Sequence, residues 1–219
     1  MKVFVIGANG QIGKHVVKQL HESSQHEVVA MVRKSEQAEA LEQQGIEVRV
    51  VDLEGPIGKI AEAAQDADAI VFTAGSGGAT GADKTMLIDL DGAIKSIKAA
   101  EQAQVDRFVM VSAIGSQQVH AENPPEWINQ LSYYNVAKFY ADQWLMASDL
   151  EYTIIRPGGL TNDSPTGKVK IGETLEFARI SREDVATAIV ASLETAQTIR
   201  KAFDIVNGET PIKVALTGL

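Results

Sequence analysis

The chain has 219 residues, 45% hydrophobic and 22% charged, which fits one globular domain over 1–219 with a core large enough to fold without staples. Cysteine is absent, which excludes disulfides, thiolate catalysis, iron–sulfur clusters and cysteine-ligated zinc. Lys plus Arg is 20 against 29 for Asp plus Glu, and the net charge of −9 argues against sequence-independent binding to a phosphate backbone, so no nucleic-acid partner is expected. No apolar run approaches the roughly 18–20 residues of a membrane span, and MKVFVIGANG lacks the apolar stretch of about 7–15 residues of a secretory signal. The expectation is a cytoplasmic protein with no membrane partner.

The first predicted strand, KVFVI (Lys2–Ile6), runs straight into Gly7-Ala8-Asn9-Gly10-Gln11-Ile12-Gly13. Three glycines at this spacing let the chain turn sharply off the strand, bring its backbone close to a pyrophosphate, and pack a helix tightly on the sheet. The helix that follows places Ile12, Val16, Val17 and Leu20 on one face. Its N-terminus offers free N–H donors and a positive dipole to phosphates. A glycine turn that binds nothing is the plainer reading of the same residues.

A second strand, Glu27–Val32, ends at Arg33-Lys34. Arg33 stands about 20 residues past the glycines, where an acid reads the ribose of NAD and an Arg accommodates the 2′-phosphate of NADP. The first acid there is Glu36, so NADP is favoured and NAD stays possible; a solvated basic pair is the alternative. The third strand, Ile46–Val51, leads to Asp52-Leu53, placed to meet an adenine edge or, for Asp52, to cap the next turn. The fourth, Asp68–Thr73, precedes the glycine-rich loop Gly75–Ala82, and the next helix aligns Leu90, Ile94 and Ile97.

A fifth strand, Arg107–Ser112, ends in a hydroxyl that could orient a substrate carbonyl or satisfy its own backbone. After the loop Gly115–Gln130, which carries Trp127 and Asn123-Pro124-Pro125, a helix holds Tyr134-Asn135-Val136-Ala137-Lys138. Residues four apart share a helical face. A neighbouring ammonium and a cationic nicotinamide would favour the phenolate and lower the Tyr pKa from about 10, which suits proton transfer coupled to hydride transfer. The sixth strand, Tyr152–Arg156, gives way to Pro157-Gly158-Gly159, small enough to approach a flat ring. Arg156 is expected to brace a helix, and Ser181 to cap the helix after it, with Asp184 three residues on. Ala202–Val206 is the last strand. The His residues, 15, 21, 26 and 120, have no metal-ligand spacing, so no metal is expected, and there is neither a Gly-x-Ser-x-Gly elbow nor a Walker-type phosphate loop. Near-continuous apolar strands alternating with helices predict an α/β, Rossmann-like, doubly wound parallel sheet with helices on both faces and a small C-terminal substrate lid.

These motifs resemble the short-chain dehydrogenase/reductase superfamily. More narrowly they are similar to its atypical, compact NAD(P)-binding group, which is NAD-dependent epimerase/dehydratase-like and lies near flavin and biliverdin reductases. VIGANGQIG (Val5–Gly13) and YYNVAK (Tyr133–Lys138) carry the superfamily resemblance; IIRPGGLTND (Ile154–Asp163) and ISREDVA (Ile180–Ala186) carry the narrower one. The resemblance implies that Gly7, Asn9, Gly10, Gln11, Ile12 and Gly13 hold a pyrophosphate and that Arg33 with Lys34 holds a 2′-phosphate. Asp52 and Leu53 would flank adenine, Ala74 and Gly75 the adenosine ribose side, and Pro157 and Gly158 the carboxamide. Tyr134 and Lys138 would be the catalytic pair, with Ser112 the candidate third member. It also marks Asp91 as the position where many relatives place an Asn of a proton relay. The expectation is an NADP-favouring oxidoreductase acting on a small carbonyl or alcohol, as a monomer or homodimer. An NADP(H)-sensing binding protein without turnover and a flavin or pigment reductase are the other readings.

Overall fold

The computed structural model describes residues 1–77, 80–130 and 132–219; Gly78 and Ala79 of the expected glycine-rich loop lie outside the described residues. In chain order the elements are β1 (Lys2–Ile6), α1 (Gly13–Glu22), β2 (Glu27–Val32), α2 (Ser35–Glu42), β3 (Glu47–Val50), α3 (Ile57–Ala64) and β4 (Ala69–Phe72). Next come α4 (Ala82–Lys84), a π-helical turn (Thr85–Asp91) running into α5 (Gly92–Ala103), β5 (Arg107–Val111), α6 (Glu126–Gln130) and α7 (Ser132–Met146). The chain closes with β6 (Glu151–Pro157), β7 (Gly159–Thr161), β8 (Lys168–Gly172), β9 (Arg179–Ser181), α8 (Arg182–Leu193), β10 (Lys201–Asn207), β11 (Thr210–Pro211) and α9 (Ile212–Thr217).

Nine strands form one sheet in the order β11-β8-β10-β6-β5-β4-β1-β2-β3. The seven strands from β3 to β10 run parallel, and β8 and β11 add an antiparallel edge. This is the doubly wound Rossmann-like α/β arrangement. Its strand order reverses between β1 and β4, and ligands of such sheets bind beyond the strand carboxyl ends at that point. Strand alternation explains the two cores. Val3 and Val5 face α1 and α8 with Val16, Leu20, Val185 and Ile189, whereas Phe4 and Ile6 face α3, α5 and α7 with Ile60, Ile97 and Leu145.

All seven predicted strands form, within a residue or two of their expected ends. Of the four others, β8 carries a short polar–apolar alternation, Lys168-Val169-Lys170-Ile171, with Val169 buried, whereas β7, β9 and β11 are too short to show a period and exist because a neighbour pairs with them. In the C-terminal part β8, β10 and β11 join the large sheet, while α8, α9, the loop 162–167, the β7–β9 ribbon and the segment 173–178 with Phe177 lie outside it.

The expected face of Leu90, Ile94 and Ile97 is corrected. The buried face of α5 is Ala93, Ser96, Ile97 and Ala100, with Leu90 and Ile94 only half-buried. The wide π turn just before α5 breaks the 3.6-residue phase from which the expectation was drawn.

Candidate active site

The turn after β1 has no room for side chains. Gly7 has φ +85°, and a Cβ there would sit 2.6 Å from the Ala74 backbone nitrogen; one at Gly13 would run into the Gly7 carbonyl. Thr73 Oγ1 donates to the Ile6 carbonyl at 3.1 Å, and the Gly10 N–H to the Gly7 carbonyl at 2.8 Å, so the turns after β1 and β4 form one tight floor. α1 has no side-chain cap and no acid in its first turn. The Lys14 N–H donates to the Gly10 carbonyl and those of His15 and Val16 to that of Ile12, which leaves the Gln11, Ile12 and Gly13 N–H groups without a partner among the described residues to meet an anion. Asn9, Gln11 and Ile12 complete this cradle, and Ala74 with Gly75 borders it. A cradle that a Cβ would fill, opening on an uncapped helix, fits the pyrophosphate of a dinucleotide. Gly13→Ala is expected to push α1 off the turn, at a cost of about 1–3 kcal/mol, and to lower melting temperature and dinucleotide affinity together. Unchanged calorimetric and binding curves would contradict this packing.

Arg33 and Lys34 are exposed just after β2, and among the described residues Arg33 makes no hydrogen bond or ion pair. The Lys34 N–H donates to Gln37 Oε1 at 3.3 Å. Asp52 is exposed and accepts the Glu54 N–H at 3.0 Å, which is the turn-capping arrangement. Leu53 is buried against Gly92, where a Cβ would lie 2.7 Å from Leu53 Cδ2.

Tyr134, Lys138 and Asp142 recur every four residues and line the inner stripe of α7. Lys138 Nζ lies 5.6 Å from the Tyr134 ring centroid and 3.5 Å from the Val111 carbonyl at the end of β5. The sequence reading missed its partner. Asp89, in the π turn, puts Oδ1 3.0 Å from Lys138 Nζ, with Asp89 2% and Lys138 4% exposed. Asp89 Oδ2 accepts the Ser76 N–H at 2.9 Å. Asp91, which departs from the Asn that many relatives place there, pairs with Lys95 on the helix surface at 2.9 Å.

In the cofactor-free site the ammonium alone does not lower the phenol pKa; the expected lowering also counts a cationic nicotinamide. Burial raises the Tyr134 pKa above its usual value, Lys138 pulls it down, and Asp89 and Asp142 push it back up. For Lys138, burial acts downward, but Tyr134, Asp89 and Asp142 outweigh it and hold the ammonium above the usual lysine range.

Deeper along the same stripe, Asp142 Oδ2 accepts from Arg156 Nε at 2.8 Å and from Ser116 Oγ at 3.0 Å. Asp142 is 1% exposed, and burial raises its pKa against the pull of Arg156, Ser112 and Ser116. The Ser112 hydroxyl lies beside this carboxylate, yet Ser112 Oγ and Asp142 Oδ1 each lack a partner in proper hydrogen-bond geometry. Ser112 is therefore placed next to Asp142, buried, while Arg156 braces α7. The Asp142 signal was available: it lies eight residues after Tyr134, two helical turns on the same stripe.

Pro157 ends β6 and accepts the Ile114 N–H at 3.0 Å, while the Gly158 N–H donates to Ile205 at 3.0 Å. A Cβ on Gly158 would meet the Ala178 carbonyl, so this strand end is held close to the segment 173–178. Gly115, with φ +74°, is covered by Trp127, whose ring centroid lies 5.3 Å from that of Phe177. Asp204 accepts from Gln117 Nε2 and from the Leu175 N–H and ties these loops to β10; burial raises its pKa. Ser181 accepts the Asp184 N–H and caps α8, as its spacing predicts.

The sequence pattern of a family described as NAD(P)H-binding matches residues 7–196. A Bacillus subtilis protein named as an uncharacterized sugar epimerase is 52% identical over 219 residues, covering 100% of both chains. A Bacillus halodurans structure, provisionally named an NAD-dependent epimerase/dehydratase, superposes with TM-score 0.89 at 42% identity over 100% of both chains. An anaerobilin reductase from Escherichia coli O157:H7 superposes with TM-score 0.79 at 25% identity, over 95% of this chain and 98% of that one.

Proposed function

The chain belongs to the NAD(P)H-binding family, and on that premise we propose that it is an NADP-favouring oxidoreductase acting on a small carbonyl or alcohol, with Tyr134 and Lys138 as its working pair. The observation that carries this is the position of the pair. Lys138 is fixed at the carboxyl end of β5 beside Tyr134, at the strand ends where the uncapped α1 and its glycine turn also open. The glycine turn would hold the pyrophosphate and Arg33 the 2′-phosphate; a solvated guanidinium without an internal partner is free to take that role. Bound in this cradle, a reduced nicotinamide supplies hydride. Tyr134 gives its phenolic proton to the acceptor oxygen, and Lys138 orients the ribose and steadies the phenolate left behind. The protein is proposed to be cytoplasmic, a monomer or homodimer, with small-molecule partners only.

The test is transfer of label from stereospecifically deuterated NADPH to a panel of small aldehydes and ketones. Deuterium on the alcohol carbon is the expected result. Binding of NADPH without transfer to any of them overturns the small-carbonyl reading, and absence of transfer to a flavin or bilin acceptor as well favours a cofactor sensor. Arg33→Ser is expected to weaken NADPH binding about tenfold, roughly 1.4 kcal/mol, and to spare NADH. Equal effects on both cofactors would remove Arg33 from the 2′-phosphate. The Trp127–Phe177 pair beside Gly158–Gly159 favours a second reading, a reductase of a flat conjugated substrate such as a flavin or pigment.

A further inference from the structure

The proposed mechanism uses Tyr134 and Lys138 and leaves Asp89 unexplained. Asp89 is a buried carboxylate with both oxygens engaged, one on Lys138 Nζ at 3.0 Å and the other on the Ser76 N–H at 2.9 Å. Two buried opposite charges this close are each other's obligatory partners, since either alone would be stranded in a medium that penalises charge. Asp89 reaches the site because it lies in a π-helical turn, a rare conformation that is frequent at functional sites. Gly75 keeps the next turn near it: a Cβ there would lie 3.1 Å from Asp89 Oδ1.

We propose that Asp89 is a positioning residue of the Tyr134–Lys138 pair. It fixes the Lys138 ammonium against the end of β5, ties it through Ser76 to the turn after β4, and sets the pair to give a proton rather than to take one. This rests on the reading of Tyr134 above and deepens it by assigning the favoured direction, reduction. The reasoning is electrostatic. The charged groups facing the phenol are Lys138 and Asp142 on its own helix and Asp89 on the π turn; Asp142 is itself paired with Arg156 of β6. With Asp89 at 3.0 Å, much of the field of Lys138 at the phenol is cancelled. A neutral phenol is a proton donor, which is what reduction of a carbonyl needs.

The experiment is a direct titration of Tyr134 in cofactor-free protein, read as the phenolate absorbance of the wild type minus that of Tyr134→Phe. The same difference is then taken in an Asp89→Asn background. Asn keeps an acceptor for the Ser76 N–H and removes only the charge. The Tyr134 midpoint is expected to fall by about one pH unit or more, a tenfold change in its acid dissociation constant. A midpoint that stays or rises overturns the proposal. Because Asp89→Asn strands Lys138, the comparison is repeated between Lys138→Met and Lys138→Met/Asp89→Asn, where the Lys138 cation is absent from both; the same downward sign is required.

Neither readout depends on turnover. With turnover, the alkaline limb of the reduction rate must move down with the titration. A shifted titration beside an unmoved rate limb upholds the hold of Asp89 on the pair and removes Tyr134 from the reaction.

Discussion

Tyr134→Phe is expected to lower the proposed turnover of NADPH with a small carbonyl acceptor by about 10²–10⁴-fold and to leave NADPH affinity within a few-fold. The size follows from what the substitution removes. The ring and its packing against Lys138 remain, and only the proton that would pass to the acceptor oxygen is lost. Affinity is spared because the proposed grip on the dinucleotide comes from the glycine turn, the uncapped start of α1 and Arg33, all on other elements. Parallel measurement of kcat and of the NADPH dissociation constant separates the two. Retained kcat would remove Tyr134 from the mechanism and favour a hydride transfer without a tyrosine acid, as a flavin or pigment reductase can carry out.

The second large effect is on stability. Asp142→Ala leaves the Arg156 guanidinium, 4% exposed, without its carboxylate at 2.8 Å and without another ion-pair partner among the described residues. Removing one member of a buried pair costs about 3–5 kcal/mol. In a domain of this length that corresponds to a fall in melting temperature on the order of 10 °C. Replacing both members, as Asp142→Leu with Arg156→Met, should recover most of the loss, because neither partner is then left as an unpaired buried charge. Calorimetry on the two variants checks this. A fall of only a degree or two for Asp142→Ala would mean that Arg156 finds solvent or another acceptor.

How far these features could be read from the sequence depends on whether they are local. The run from Val3 to Gly13 carries its own signal. An apolar strand feeds glycines that only a tight turn requires, and the helix behind them shows one apolar face. Tyr134 and Lys138 were legible for the same reason, since a four-residue spacing survives in any regular helix. Asp142 obeys the same spacing and was passed over because the search stopped at the pair. Asp89 was not legible. Its role arises where α7 packs on the π turn, and that turn breaks the phase by which helical faces are read, so the acid two residues later drew the attention. The short strands β7, β9 and β11 are likewise products of pairing across the fold. A lysine four residues from the phenol is visible in the sequence, while the burial and the two opposing carboxylates that raise its pKa in the cofactor-free site are not.

The central claim is that the glycine turn and Arg33 hold a dinucleotide phosphate. It is tested most directly by titrating the purified protein with NADPH and, in parallel, NADH, followed by reduced-nicotinamide fluorescence. Saturable binding of both with a clear preference for NADPH is the expected result. Binding without preference, or a preference for NADH, would leave the cradle in place and contradict the role of Arg33. Binding of neither would contradict the claim itself and reduce Gly7, Gly10 and Gly13 to a structural turn.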